Sequence, residues 1–256
     1  MTPKDFQDIE KLYHYTSFSS ALKIISSNKL KFGRLGDMND TNEAYKHISY
    51  EYWSDIQTKD VQSELQQYRQ ISLTIDSSTY QGFDISAMWG HYAEKGKGVC
   101  LVFDKHKLLK CLSTDMYSRK VNYKRKFKGN VHINSDSIGK SLEKKRKEFF
   151  FTKSSDWKYE QEYRIITKVD SCSDDLFLDF KDSLIAVVLQ YADGCDNYMP
   201  INDTVFSSLN FKILDKIVKR NMLILEKGDL FGETNLRDRG GQSFSDSEHT
   251  LVNINI

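Results

Sequence analysis

Trp157-Lys158-Tyr159-Glu160-Gln161-Glu162-Tyr163-Arg164-Ile165-Ile166 sets two glutamates, one residue apart, at the mouth of an apolar run. Read as an extended strand, the stretch projects Glu160 and Glu162 from one face, because side chains two apart point the same way. Like charges on one face repel, and neither carboxylate is buried cheaply. Two readings follow. One is a solvated strand edge, with Lys158 and Arg164 nearby, that discourages aggregation. The other is a cleft that stabilises a developing positive charge.

Working outward, further strand-like runs appear. Leu12 to Thr16 reads as a strand, followed by a helix capped by Ser17 or Ser19, with Ala21, Leu22, Ile24 and Ile25 as its apolar stripe. Leu30 to Phe32 is a second short strand, and Gly33 to Glu43 reads as a loop. Glu43 to about Gln70 is expected to be mostly helical. Ile71 to Ile75 alternates aliphatic and hydroxyl residues, placing Ser72 and Thr74 on one face. Ser86 is expected to cap a helix carrying Trp89 and Tyr92, ended by Gly96 and Gly98, with Val99 to Phe103 as a buried strand beyond it. Strands are also expected at Leu176 to Phe180, Leu184 to Gln190, Phe211 to Leu214 and Met222 to Leu225, with a helix from about Thr204 to Leu209. Short strands with irregularly inserted helices predict an α+β fold over a doubly wound one. Residues 1–231 are expected as a single domain and 232–256 as a polar, disordered tail.

Composition excludes several classes. Met1 to Glu10 carries acids and lacks an apolar core, and no window of about 18 apolar residues occurs, so a soluble, cytoplasmic protein is expected. The 4 cysteines form no C-x-x-C pair, and the 6 histidines show no metal-ligand spacing, so no metal site is expected. Rossmann, P-loop and nucleophile-elbow signatures are absent. The net charge of +1 conceals an uneven distribution. Between Arg119 and Lys153 twelve Lys or Arg face three acids (Asp136, Glu143, Glu148), a local +9 that leaves −8 for the remainder. Such a run is either a solvated face or a nucleic-acid-binding one.

Several ordered motifs bear on identity: Leu12-Tyr-His-Tyr-Thr-Ser17, Asn39-Asp40-x-x-Glu43, Trp89-Gly-His-Tyr92 with Gly98-Val-Cys-Leu-Val-Phe103, Val121-Asn-Tyr123, and Lys153 with Trp157-x-Tyr-Glu-x-Glu-Tyr-Arg164. Together, over roughly residues 12 to 226, they resemble the bacterial DUF2971 family. The pattern also resembles the ADP-ribosyltransferase superfamily. His14 looks like that superfamily's first-strand histidine, Ser72-Leu-Thr74 like its Ser-Thr-Ser strand, and Glu162 like its catalytic glutamate. The resemblance is a hybrid, sharing a histidine with the diphtheria-toxin-like branch and a Glu-x-Glu with the arginine-modifying branch.

The resemblance implies split β-sheets with peripheral helices, and NAD as substrate for ADP-ribosyl transfer or hydrolysis, often in toxin or phage-defence settings. The implied acceptor is a macromolecule: protein, RNA or DNA. Glu162, Glu160 and His14 are the implied catalytic residues. His14, Tyr15, Thr16, Ser72, Thr74, Trp89, Tyr92 and Arg164 are the implied NAD contacts. Each has an ordinary alternative: His14 as a hydrogen-bonded structural histidine, Trp89 and Tyr92 as core, Lys153 and Arg164 as counter-charges for the two glutamates. A binding module using residues 119–153, without NAD chemistry, is the competing functional expectation.

Overall fold

The computed structural model describes residues 8–35, 63–78, 80–125, 138–170, 175–191, 223–230, 233–238 and 243–244. Its strands are β1 (Lys11–Thr16), β2 (Lys29–Lys31), β3 (Gly33–Arg34), β4 (Tyr68–Thr74), β5 (Val99–Asp104), β6 (Tyr117–Lys120), β7 (Asn122–Lys124), β8 (Thr152–Ser154), β9 (Glu162–Lys168), β10 (Phe177–Asp179), β11 (Leu184–Tyr191), β12 (Leu223–Leu230), β13 (Glu233–Asp238) and β14 (Ser243–Phe244). Its helices are α1 (Phe18–Ser27), α2 (Ser86–Tyr92), α3 (Lys105–Leu109), α4 (Ile138–Lys144) and α5 (Arg146–Phe150). The fold is α+β, with mainly antiparallel pairing. The chain forms two compact units: Met1–Lys29, Leu73–Cys111 and Asp179–Ile256 in the first, Leu30–Ser72 and Leu112–Leu178 in the second. The segments of the two units interleave along the chain, and β4 passes from the second into the first.

In the first unit the strand order is β14-β13-β12-β11-β5-β1. The run Val99-Cys-Leu-Val-Phe-Asp104 is buried along its whole length, as an apolar strand covered on both faces must be. It pairs antiparallel with β1 from Lys11↔Asp104 to Thr16↔Val99, and with β11 from Leu184↔Phe103 to Leu189↔Val99. β12 lies parallel to β11, and β13, inside the segment expected to be a disordered tail, pairs antiparallel with β12. Ser17 caps α1 by accepting from the Ser20 amide at 3.1 Å, and Asn28 closes the helix in the left-handed region (φ 59°).

The second unit carries β6-β9-β4 in sheet order, with β3 beside the first half of β4, and a separate parallel pair β7-β8. Its core gathers Leu65, Tyr68, Leu142, Phe149, Phe150, Phe151 and Ile166. The expected helix to Gln70 ends earlier: residues 63–65 are helical, but Tyr68, Arg69 and Gln70 are strand. Both faces of that strand are covered, which favours pairing over a helical stripe. Ser86 is the first helical residue of α2; Ile85 is the cap and supplies no side-chain bond. The expected elements at Thr204 to Leu209 and Phe211 to Leu214, and the Asn39-Asp40-Glu43 loop, lie outside the described residues.

Candidate functional site

The two glutamates do not alternate on one strand. Ser155–Glu160 is a 3-10 turn, Gln161 takes a left-handed conformation (φ 45°), and β9 begins only at Glu162. Gln161 thereby breaks the strand alternation between the two glutamates, and both carboxylates reach one cation. Lys153 Nζ sits 2.7 Å from Glu160 Oε2 and 3.5 Å from Glu162 Oε2. Arg164, two residues along β9 and therefore on the same face as Glu162, closes a fork on it: Nε to Oε1 at 2.6 Å and Nη2 to Oε2 at 2.7 Å.

The reading of a solvated charged edge is overturned. Glu160 is 3% exposed, Glu162 4%, Lys153 6% and Arg164 2%. Four ionisable groups withdrawn from water survive only when each charge is matched, and two acids against two bases give a neutral cluster. Lys153 and Arg164 therefore take the counter-charge role. The remaining donors have named partners. Arg164 Nη1 donates to the Phe150 carbonyl at 2.7 Å, and Lys153 Nζ lies 4.7 Å over the Trp157 ring.

Parallel pairing places Tyr123 of β7 beside Lys153 of β8. The Tyr123 hydroxyl accepts from the Glu162 amide at 2.8 Å, which pins the start of β9 to β7. Gln70 and Ser72 share a face of β4. Gln70 Nε2 donates to Ser72 Oγ at 2.7 Å and reaches Glu162 Oε1 at 3.4 Å, while Ser72 also hydrogen-bonds Glu162. Gln70 and Tyr123 were not singled out as site residues from sequence. The signal lay in spacing: Gln70 precedes Ser72 by two, and Tyr123 is the one inward position between exposed Asn122 and Lys124.

Burial alone would raise the Glu162 pKa. The charge and fork of Arg164 outweigh it, with help from Lys153 and Ser72, and bring it down to about 2. Burial pushes the Tyr123 phenol up, so it stays protonated. A carboxylate this acidic is a poor proton acceptor near neutral pH. It is a permanent anion, suited to accepting a hydrogen bond.

Of the other residues singled out from sequence, His14, Tyr15, Thr16, Thr74, Trp89 and Tyr92 belong to the first unit, while Ser72, Glu160, Glu162 and Arg164 belong to the second. Within the first unit, Tyr15 and Trp89 pack edge to face at 5.3 Å between centroids. Their polar atoms are committed to backbone: Tyr15 donates to the Gly82 carbonyl at 2.7 Å and Trp89 Nε1 to the Phe83 carbonyl at 2.7 Å. Thr74 is buried opposite Tyr13, whereas His14, Thr16 and Tyr92 are half-buried. Among the described residues, no group of three or more His, Cys, Asp or Glu is placed to hold a metal ion. No described helix is long and apolar enough to cross a membrane.

Residues 88–165 match the model of a family described as "Protein of unknown function (DUF2971)". The matched stretch includes Trp89, Tyr92, Tyr123, Lys153, Glu160, Glu162 and Arg164 and excludes His14, Ser72 and Thr74. It supports the resemblance over those residues. No curated protein and no solved structure matches the chain.

Proposed function

We propose that this protein cleaves NAD and passes ADP-ribose to a macromolecular acceptor or to water, on an ADP-ribosyltransferase-like arrangement of sheets. The observation that carries the reading is Glu162: a buried, permanently ionised carboxylate held beside the Ser72 hydroxyl. Cleavage breaks the bond between ribose C1′ and the nicotinamide nitrogen. The bonding pair leaves with nicotinamide, which becomes neutral, and the ribose is left oxocarbenium-like. A carboxylate bonded to the ribose 2′-hydroxyl strengthens that bond as positive charge grows, and so favours the transition state over the ground state.

Because the cluster is neutral as a whole, this action is short-ranged and works through contact. The Gln70 contact with Glu162, at 3.4 Å, is long for a hydrogen bond, and a ribose hydroxyl takes its place. Arg164 acts as a positioning residue that fixes both Glu162 oxygens. Glu160, held by Lys153, takes the proton that the acceptor loses as its oxygen or nitrogen bonds to C1′.

The test is nicotinamide release from NAD by wild type and by the double variant E162Q/R164M, with cell extract supplying acceptors. Removing both partners avoids stranding a buried charge, so the variant is expected to fold. Release by wild type and at least about a hundredfold less by the variant supports the reading, since losing a contact made only in the transition state costs that much. Equal release, or none from folded wild type, overturns it.

A further inference from the structure

β7, which holds the start of β9 through Tyr123, and its neighbour β6 carry exposed cations. In β7, Tyr123 turns inward while Asn122 and Lys124 are exposed, and Arg125 follows, also exposed. In β6, separated from β7 only by buried Val121, Arg119 and Lys120 are exposed. Lys140 and Lys144 of α4 add to the set. Lys153, counted in the basic run by sequence, is buried on Glu160 and does not belong to this surface. Of the acids in this unit, Glu64 pairs with Lys168 at 2.6 Å and Asp175 with Lys31 at 2.8 Å, while Glu143 pairs with Arg146, the residue that stacks on Tyr117, at 3.8 Å.

An aromatic group stands in the same row. Tyr117 is 41% exposed, a large exposure for a ring, and shares its face of β6 with Arg119. The Arg146 guanidinium stacks 3.2 Å over the Tyr117 ring. β6 is also terminal in its sheet among the described residues. An edge strand with an exposed ring and cations on both of its faces fits a polyanion whose repeating unit has a flat face and that runs along the edge.

We infer that β6 and β7 form a binding surface for single-stranded nucleic acid, with Arg119, Lys120, Lys124 and Arg125 on phosphates and Tyr117 stacking on a base. The inference stands apart from NAD cleavage, and its readout is binding alone. Were both to hold, the strand bound here is a candidate acceptor.

Fluorescence anisotropy with a labelled oligothymidine of roughly a dozen nucleotides, and with a duplex of the same length, tests it across a salt series. For R119A/K120A/K124A/R125A, affinity for the single strand falls at least about tenfold at low salt, and the slope of log K against log salt shrinks by about 3. Tyr117→Ala weakens single-strand binding about fivefold or more. Unfolding temperatures are read alongside: that of the quadruple variant is expected to match wild type, since its substituted groups are exposed, and that of Tyr117→Ala to fall slightly, since the ring loses its stack with Arg146. Unchanged affinity and slope in the quadruple variant, or duplex bound as tightly as single strand, overturns the inference.

Discussion

Two regions of this molecule bury polar groups deeply and solve the problem in opposite ways. In the first unit the segment 76–83 is held by neutral donors. Tyr13 donates a hydrogen bond to Asp76 Oδ1 at 2.8 Å, Tyr15 donates to the Gly82 carbonyl, and Trp89 Nε1 to the Phe83 carbonyl. These bonds strap residues 76–83 down, and Asp76 adds a bond from the Gly82 amide at 2.7 Å. In the second unit Glu160, Glu162, Lys153 and Arg164 are buried together, their charges matched around Glu162. A neutral donor is satisfied by any nearby carbonyl and, when lost, costs about one hydrogen bond. A buried charge demands its counter-charge in one geometry, and losing the partner strands it. The first arrangement serves stability. The second holds a carboxylate in place at a cost, and it is the region to which the proposed function assigns the chemistry.

The largest effect expected from this contrast is in the cluster. Either single variant, E162Q or R164M, loses about 3–5 kcal/mol of unfolding free energy, because one charge remains buried without its fork. In urea titrations E162Q/R164M should be clearly more stable than the sum of the singles implies; simple additivity would break the comparison.

Acid sensitivity comes next. Glu162 binds its proton more weakly when folded than when unfolded, so its contribution is complete above the ordinary carboxylate pKa and drains away as pH falls toward about 2. The loss amounts to about 3 kcal/mol across that window. Stability measured from pH 5 down to 2 should therefore fall more steeply for wild type than for E162Q/R164M, and parallel curves would remove Glu162 from the explanation.

In the neutral region the effects are smaller and steric. A Cβ on Gly82 would stand 2.2 Å from Tyr13 Cδ2, and Tyr13 is fully buried, so its ring has no room to yield. Gly82→Ala is expected to cost about 2 kcal/mol through this overpacking. Tyr13→Phe removes one hydrogen bond to a carboxylate and costs about 1.5 kcal/mol, since Asp76 keeps the Gly82 amide. A loss from Tyr13→Phe as large as that from R164M would erase the distinction between the two regions.

What the sequence made legible follows the same division. β1, β5 and β11 were readable because Leu12-Tyr13, Val99 to Phe103 and Leu184 to Leu189 are apolar runs that only a covered strand accommodates. The α+β class followed from them. The 153–164 cluster was legible in its residue types and not in its geometry. Gln161 carries no turn signature of the Gly or Asn kind, so its left-handed conformation, and with it the placement of Glu160 off the strand, had no local cue. The burial of Glu160 and Glu162 depends on Lys153 arriving through the parallel pairing of β7 with β8, a contact that periodicity does not encode. Tyr68 to Gln70 was read as helix because its polar residues suit one; tertiary covering of both faces made it strand.

The claim on which the account turns is that Glu162 stays ionised although buried. Carbon-detected NMR of the side-chain carboxyls, with 13C-labelled glutamate and E162Q/R164M to assign the Glu162 resonance, reads this directly across a pH series. The account predicts a Glu162 carboxyl shift that is flat from pH 8 down to about 3 and moves only as pH approaches about 2. A titration centred at or above the ordinary carboxylate value of about 4.3 would contradict it, because burial would then have prevailed over Arg164 and Lys153.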